Sequence, residues 1–434
     1  MPRFSTGYTP SVAIETHGCK LNQADSADLA REFVEAGYKI LTGKDPVDVY
    51  IVNTCTVTHV ADRKARHAIR SARRRNPEAT IVATGCYPQR SPQAFSSLDE
   101  VDLVIGNKDK PTLVRQLGEW RGSVPVPCAT GDGINLDFPR IARTRAVIKI
   151  QEGCDQICAY CIVPKVRGRE RSIPSNSIVR MIRQRVKEGY KEVVLTGTQL
   201  GTYGLDLEDV TLSGLIGRIL DETDILRLRV SSLQPQEIDA DFISLWENPR
   251  LCPHFHMPLQ SGSDKILNKM RRRYTGKRYL EAVNLIRNMV PSAAISADVI
   301  VGFPSETETE FSETYSLCGD AGFANIHVFP FSERPGTSAS YFSDTVPRAQ
   351  TLERVSRLIA LGQITAMEFR EGLAGSIRSV LWEGRDFNQN TYVCKGITDN
   401  YVKVICSSKR WLANKISDAR LGEPEEEIVH VELV

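Results

Sequence analysis

The sequence predicts an α/β protein in three parts. These are an N-terminal doubly wound α/β domain, a central partial TIM-type (β/α)6 barrel and a small C-terminal all-β barrel of OB-like type. Three observations carry this reading. Short β-rich runs alternate with helix-length stretches in two successive segments. The alternation stops near residue 371, and only short β-rich runs follow. Finally, 434 residues are too many for one ordinary core. The expected domains are residues 10–120, 140–372 and 373–434.

In the first segment, runs 12–16, 48–53, 80–84 and 102–106 read as buried parallel strands. Helical stretches 26–36 and 61–75 lie between them, as a doubly wound sheet requires. Residues 121–139, with Val-Pro-Val-Pro and Gly-Asp-Gly, read as a linker. The second segment offers six strands at 146–150, 192–195, 227–230, 254–257, 295–301 and 325–329. Stretches such as 177–188 and 278–289 supply helices between them. After a helix at 350–371, runs 379–382, 391–394, 401–405 and 428–433 predict the small β-domain, with a short helix at 409–412. Small barrels of this kind often bind oligonucleotides.

Composition narrows the class. The chain is 41% hydrophobic and 25% charged, without an apolar run of the roughly 20 residues a membrane span needs. No signal-peptide pattern opens it, and eleven cysteines then point to a reducing, cytoplasmic setting with metal or catalytic use. A net charge of +2 decides nothing by itself.

Cys154, Cys158 and Cys161 form a C-x3-C-x2-C run directly after the first strand of the second segment. Three thiolates so spaced wrap one corner of a cubane iron–sulfur cluster, whose four irons ordinarily take four cysteines. The next cysteine is Cys252, so one iron keeps an open position for a small chelator. Structural zinc wants four ligands, usually in C-x2-4-C pairs, and fits poorly. Cys19, Cys55 and Cys86 each lie one to three residues past a predicted parallel strand. Any one alone reads as an ordinary buried thiol. Strand ends of a parallel sheet share one edge, however, so the three are expected to converge on a second cluster. Glycines beside Cys19 and Cys86 permit close approach. Cys128, Cys252, Cys318, Cys394 and Cys406 show no such pattern.

The C-x3-C-x2-C run, with Tyr160 before its last cysteine, resembles the signature of the radical S-adenosylmethionine (SAM) superfamily. With the second triad, the chain resembles that superfamily's methylthiotransferases over nearly its whole length. Matching stretches are Gly18-Cys-Lys-Leu-Asn-Gln23, Asn53-Thr-Cys-Thr-Val57, Thr84-Gly-Cys-Tyr87, Pro258-Leu-Gln-Ser-Gly-Ser263 and Asp298-Val-Ile-Val-Gly-Phe-Pro304. Arg334-Pro-Gly-Thr337 and Gly396-Ile-Thr-Asp-Asn-Tyr401 also match. Gly-Cys-Lys-x-Asn-Gln followed by Asn-Thr-Cys-Thr-Val-Thr resembles the branch acting on N6-threonylcarbamoyladenosine in tRNA. The isopentenyladenosine branch and the branch modifying a ribosomal-protein aspartate carry other residues after the first cysteine. Gln199 stands where relatives usually show Asn, and Asp298 where the superfamily often has Gly.

The resemblance implies two [4Fe–4S] clusters, one auxiliary on Cys19, Cys55 and Cys86, the other on Cys154, Cys158 and Cys161. It implies a C-terminal TRAM domain that binds RNA. Carbon 2 of adenine carries an unactivated C–H bond, so a cofactor must bear the difficult step. By resemblance, one SAM yields a 5′-deoxyadenosyl radical that takes this hydrogen. A second SAM methylates the sulfur delivered from the auxiliary cluster, and an external electron donor is required. Candidate SAM contacts are Tyr160, Gly197, Thr198, Ser231, Gln260 and Gly302, each equally readable as a packing or strand-end residue. No catalytic residue is expected beyond the cluster ligands.

For RNA, Arg63, Arg66, Arg70, Arg73 and Arg74 share one face of helix 61–75, opposite Ala61, Ala65, Ala68, Ile69 and Ala72. A charged face is usually just solvated, but this one has no acidic residue after Asp62, which favours phosphate contact. Lys165 and Arg167, with Arg169, Arg171 and Arg271–Arg273, extend the argument. The expected partner is a tRNA anticodon stem-loop, whose single-stranded base is easily splayed out; neither DNA nor membrane is expected. The rivals are the same chemistry on isopentenyladenosine or on a ribosomal-protein side chain, and a non-catalytic iron–sulfur RNA-binding protein.

Overall fold

The computed structural model describes residues 8–43, 45–122, 144–388 and 391–434. Most of the linker expected at 121–139 therefore lies outside the described residues. The first body is a parallel sheet of β1 (Ser11–Thr16), β2 (Lys39–Ile40), β3 (Val49–Thr54), β4 (Thr80–Gly85) and β5 (Leu103–Gly106). Its order is β2-β1-β3-β4-β5, so the chain switches direction between β1 and β3, where such sheets open a crevice. Helix α1 (Lys20–Glu35) covers one face, where Leu29 and Phe33 meet Val49, Ile51 and Val82. Helix α2 (His59–Arg75) covers the other, where Ala65, Ile69 and Ala72 meet Tyr50, Val52 and Ile81. Thr58 caps α2 by accepting from the Ala61 amide.

α1 begins six residues earlier than expected, directly after Cys19. Its first turns bury Asn22, Asp25 and Ser26, polar groups that hydrophobic periodicity does not register. β2 was not expected either, being only two residues long.

The central body carries the six expected parallel strands: β6 (Arg145–Lys149), then, past a small antiparallel pair β7 (Gln151–Glu152) and β8 (Arg171–Ser172), β9 (Glu192–Thr196), β10 (Arg227–Val230), β11 (His254–His256), β12 (Ala294–Val301) and β13 (Asn325–Pro330). Sheets β10-β9-β6 and β11-β12-β13 are joined by parallel bridges Leu228–Leu251 and Ser232–His256, giving an open barrel. β7 and β8 bracket the loop that holds Cys154, Cys158 and Cys161. α1 packs along edge strand β6, and the helix Arg348–Glu371 along β13. Ala297, Val299 and Val301 join the core under the helices, while Arg229, His254 and Asp298 turn the other way, into the lumen.

The third body is a closed barrel of β14 (Ile377–Asn388), β15 (Thr391–Thr398), β16 (Lys403–Ser408), β17 (Ile416–Glu425) and β18 (Ile428–Leu433), in the order β14-β15-β16-β18-β17. The helix expected at 409–412 does not form; residues 409–410 make a bend, 411–412 are irregular and a turn follows at 413–414. β17 was not anticipated, because its sequence is polar and interrupted by Gly422 and Pro424. Only Ala419 and Leu421 of it are buried. Among the described residues no helix is long and apolar enough to cross a membrane.

Buried charges fasten the bodies together. Asp25 of α1 takes Lys110 at 2.9 Å from its own body, and Lys149 at 2.6 Å and Arg167 at 3.2 Å from the barrel. Burial alone would raise its pKa, but these three cations hold it well below the carboxylate range. Asp62 likewise takes Arg90 at 3.0 Å and, from the barrel side, Arg334 at 2.7 Å.

Candidate metal centres

Cys19, Cys55 and Cys86 follow β1, β3 and β4, which are adjacent in the sheet. Cys19 occupies the N-cap position of α1 with no side-chain capping bond, which leaves its sulfur free to ligate. Gly18, at φ +97°, brings that loop against Cys55: a Cβ there would stand 2.8 Å from the Cys55 Sγ. Gly85, at φ +102°, similarly allows a close approach: a Cβ there would stand 2.4 Å from the Thr54 carbonyl oxygen. Cys55 and Cys86 are buried and Cys19 is exposed.

The two triads meet at the junction of the bodies. Cys86 packs against Ile162 and Val166, the residues just after Cys161. Asn107 donates both to the Cys86 Sγ at 3.4 Å and to the Val166 carbonyl at 3.0 Å. On the other side, Arg272 donates to the Cys158 Sγ at 3.4 Å and to Gln234 at 3.2 Å.

The donor sets suit clusters better than single ions. A tetrahedral zinc draws its sulfurs to about 3.8 Å from one another. Among the described residues, the only three ligand atoms within 4.8 Å of each other are those of His256, Asp298 and His327, so neither triad is that tight. Burial, followed by the neighbouring cysteines, pushes the Cys55 thiol up to about 12, against a lowering by backbone amides of Val57 and Thr56. Burial and Cys158 do the same at Cys161, also up to about 12. Loading metal must therefore release protons, and the amides then serve as hydrogen bonds to bound thiolate.

Around the second triad, Tyr160 packs with Met270 and Phe303. Thr198 donates its amide to Gln151 at 2.8 Å, while its buried hydroxyl has no partner and is free for a ligand. Ser231 is buried and reaches only Thr196, at 3.5 Å. Gln260 sits at φ +67°, bridged to β12 through its backbone. The Cβ positions of Gly197 and Gly302 are taken up by neighbours: Leu200 and Gln151 at the first, and Thr351 at the second, where Glu306 also accepts the Gly302 amide.

Sequence reasoning missed Glu237, which accepts from Gln199 at 2.5 Å and whose pKa burial raises to about 7. It also missed Gln234, which donates to Gln199 and accepts from Arg272. No motif or period marks these residues.

The basic face needs two corrections. Arg73 is engaged: it donates to the carbonyls of Pro77, Ala79 and Glu100 and pairs with Asp102 at 2.6 Å. Arg167 is buried at 6% exposure, held by Asp25, Glu152 and Asn22. Both carboxylate sets come from elsewhere in the chain, where a helical wheel does not look. Arg272, engaged at Cys158, is likewise no free cation. Arg66 donates to the Tyr87 hydroxyl at 2.5 Å, and Arg70 has only a loose contact with Glu100 at 3.7 Å. Arg63, Arg74 and Lys165 are exposed and free of ion pairs among the described residues.

An open parallel barrel with three cysteines in the loop after its first strand defines a radical SAM enzyme, and residues 148–318 match the Radical SAM superfamily. Residues 11–106 match Uncharacterized protein family UPF0004. The chain is 36% identical over 428 residues to threonylcarbamoyladenosine tRNA methylthiotransferase MtaB of Bacillus subtilis, covering 95% of this chain and 93% of that one. It is 39% identical to the MtaB of Aquifex aeolicus, covering 91% and 96%. It is also 35% identical to tRNA-2-methylthio-N(6)-dimethylallyladenosine synthase of Bacillus thuringiensis, covering 99% and 88%. The chain thus belongs to the radical SAM methylthiotransferases, in the MtaB branch. Among solved structures, the radical SAM methyltransferase TsrM of Kitasatospora setae shares the fold at a TM-score of 0.55 and 14% identity, covering 86% of this chain and 77% of that one. The family's cofactors are SAM and two iron–sulfur clusters.

Proposed function

We propose that this enzyme converts N6-threonylcarbamoyladenosine next to the anticodon of a tRNA to its 2-methylthio form, in the cytoplasm. Cys154, Cys158 and Cys161 hold the cluster that binds SAM, and Cys19, Cys55 and Cys86 hold the auxiliary cluster. When bound, these groups and SAM supply the radical and the methylated sulfur, with electrons from an external donor. The observation supporting the reading is the packing of Cys86 on Ile162 and Val166, which brings the loops of the two triads together.

The chain's own residues do the rest. The unpartnered Thr198 hydroxyl and the Glu237 carboxyl, with Gln199 and Gln234, offer polar contacts to SAM beside Cys158. Tyr160, Met270 and Phe303 keep water from that wall. Arg63, Arg70, Arg74 and Lys165 hold phosphates, together with the C-terminal barrel. The MtaB names favour the threonylcarbamoyl substrate over the dimethylallyl one. The test is mass spectrometry of tRNA nucleosides from a deletion strain with and without this gene. Loss and return of 2-methylthio-threonylcarbamoyladenosine is expected; loss of the isopentenyl product instead would overturn the substrate assignment.

A further inference from the structure

The barrel lumen is crowded with charge, and almost all of it is paired. Arg227 and Arg229 hold Glu192 at 2.9 and 2.8 Å, and Arg145 holds Glu383 at 2.7 Å. Lys149 is shared by Asp25 and Glu152. Asp298 accepts from His256 and His327, each at 3.0 Å. Those imidazoles are completed by Ser232 and Asn325, so the triad closes on itself without an ion. One cation is left over. Lys20 is half-buried, and among the described residues its ammonium makes no ion pair or side-chain hydrogen bond. The titratable groups near enough to act on it are Arg229, Arg145, Tyr401 and Asp298; the tyrosine is an uncharged phenol at neutral pH and Asp298 is turned to its histidines, so positive charge predominates.

We propose that Lys20 is the residue that reads the substrate's side chain, by receiving the carboxylate that a threonylcarbamoyl group carries on adenine N6. The inference rests on the substrate class proposed above. An enclosed ammonium with three donors and no partner is costly unless an anion arrives. An apolar isopentenyl chain would leave it unpaired, so the same residue that binds one substrate rejects the other. The chemistry of the base fits the placement. Carbon 6, which bears the substituent, and carbon 2, which reacts, both flank adenine N1. An anchor at Lys20 therefore holds carbon 2 beside Cys19, the preceding residue and a proposed ligand of the auxiliary cluster.

The test uses anticodon stem-loops carrying threonylcarbamoyladenosine or its methyl ester, with the reconstituted full chain. Wild type should favour the acid over the ester by about 10- to 100-fold in kcat/KM, the weight of one charge-assisted hydrogen bond. Lys20→Met should lose that factor on the acid, chiefly through KM, and treat the two RNAs alike. Lys20→Arg should keep the preference. Iron content and 5′-deoxyadenosine formation report whether the neighbouring cluster survives each change. If Lys20→Met discriminates as wild type does, or wild type accepts ester and acid equally, Lys20 is not the reader and the substrate assignment stands. If wild type modifies neither RNA, the substrate assignment fails and takes this inference with it. Should Lys20→Met lose its iron, the wild-type comparison of acid with ester still decides.

Discussion

Tyr401 lies flat on His254, with ring centroids 4.2 Å apart and planes 11° from parallel. The first residue belongs to the C-terminal barrel and the second to the lumen wall of the central one. Arg227 donates to the carbonyls of Ile397 and Thr398, and Arg229 to that of Asp399, from the same loop. The loop therefore floors the lumen of the central barrel, so the C-terminal barrel seals that chamber from below.

Two clusters per chain imply about eight iron ions after anaerobic reconstitution. Replacing Cys154, Cys158 and Cys161 with Ala should leave about four. Iron analysis and X-ray absorption check this, and zinc in sulfur-only sites would contradict it.

The triads should separate by role. With Cys19, Cys55 and Cys86 changed to Ala, a folded enzyme should still cleave SAM to 5′-deoxyadenosine while making no methylthio product. The complementary triple variant should do neither. Circular dichroism must first show that the N-terminal domain folds, and methylthiolation by the first variant would refute the division.

Arg63, Arg70 and Arg74 are the phosphate contacts proposed above, whereas Arg73 braces Asp102. Replacing the first three with Ala should weaken tRNA binding and flatten the slope of log K against log salt by about 2–3. Arg73→Ala should instead lower the unfolding midpoint by breaking the Asp102 pair, with the salt slope unchanged. Equal slopes in all variants would remove this face from RNA binding.

Glu192 sets an acid limit. Burial alone would raise its pKa, but Arg229 and Arg227 hold it down to about 2, below the ordinary 4.5. A lowered folded-state value means stabilisation that is full above pH 4.5 and fades as pH falls toward 2. Urea midpoints should drop across that window. Glu192→Gln should cost about 3–5 kcal/mol at neutral pH, by stranding two guanidiniums, and should show a flatter acid dependence.

Legibility from sequence followed burial type. Strands β3, β4 and β12 are runs of Val, Ile and Ala with both faces covered, so their ends were visible within a residue or two. β17 was not, since only two of its ten residues are buried. The cysteines were legible because their loops follow such strands. Arg73 and Arg167 were misjudged because Asp102 and Asp25 lie 29 and 142 residues away. Contacts that distant leave no local pattern, and for the same reason Glu237 and Gln234 escaped notice and Arg272 was grouped with the RNA contacts.

Asp25 and Asp62 also govern how the nucleic acid gets in. Each is a keystone gripped from both bodies, by Lys149 and Arg167 in one case and Arg334 in the other. Swinging the bodies apart would bare these charges at several kcal/mol per pair. The enzyme therefore does not gape like a clam around its tRNA. On the proposed reading, an anticodon-loop base would be tipped out of its loop and lowered through a fixed rim. Spin labels at Glu78 and Lys277 should accordingly report a single, unchanged separation whether or not the tRNA is bound.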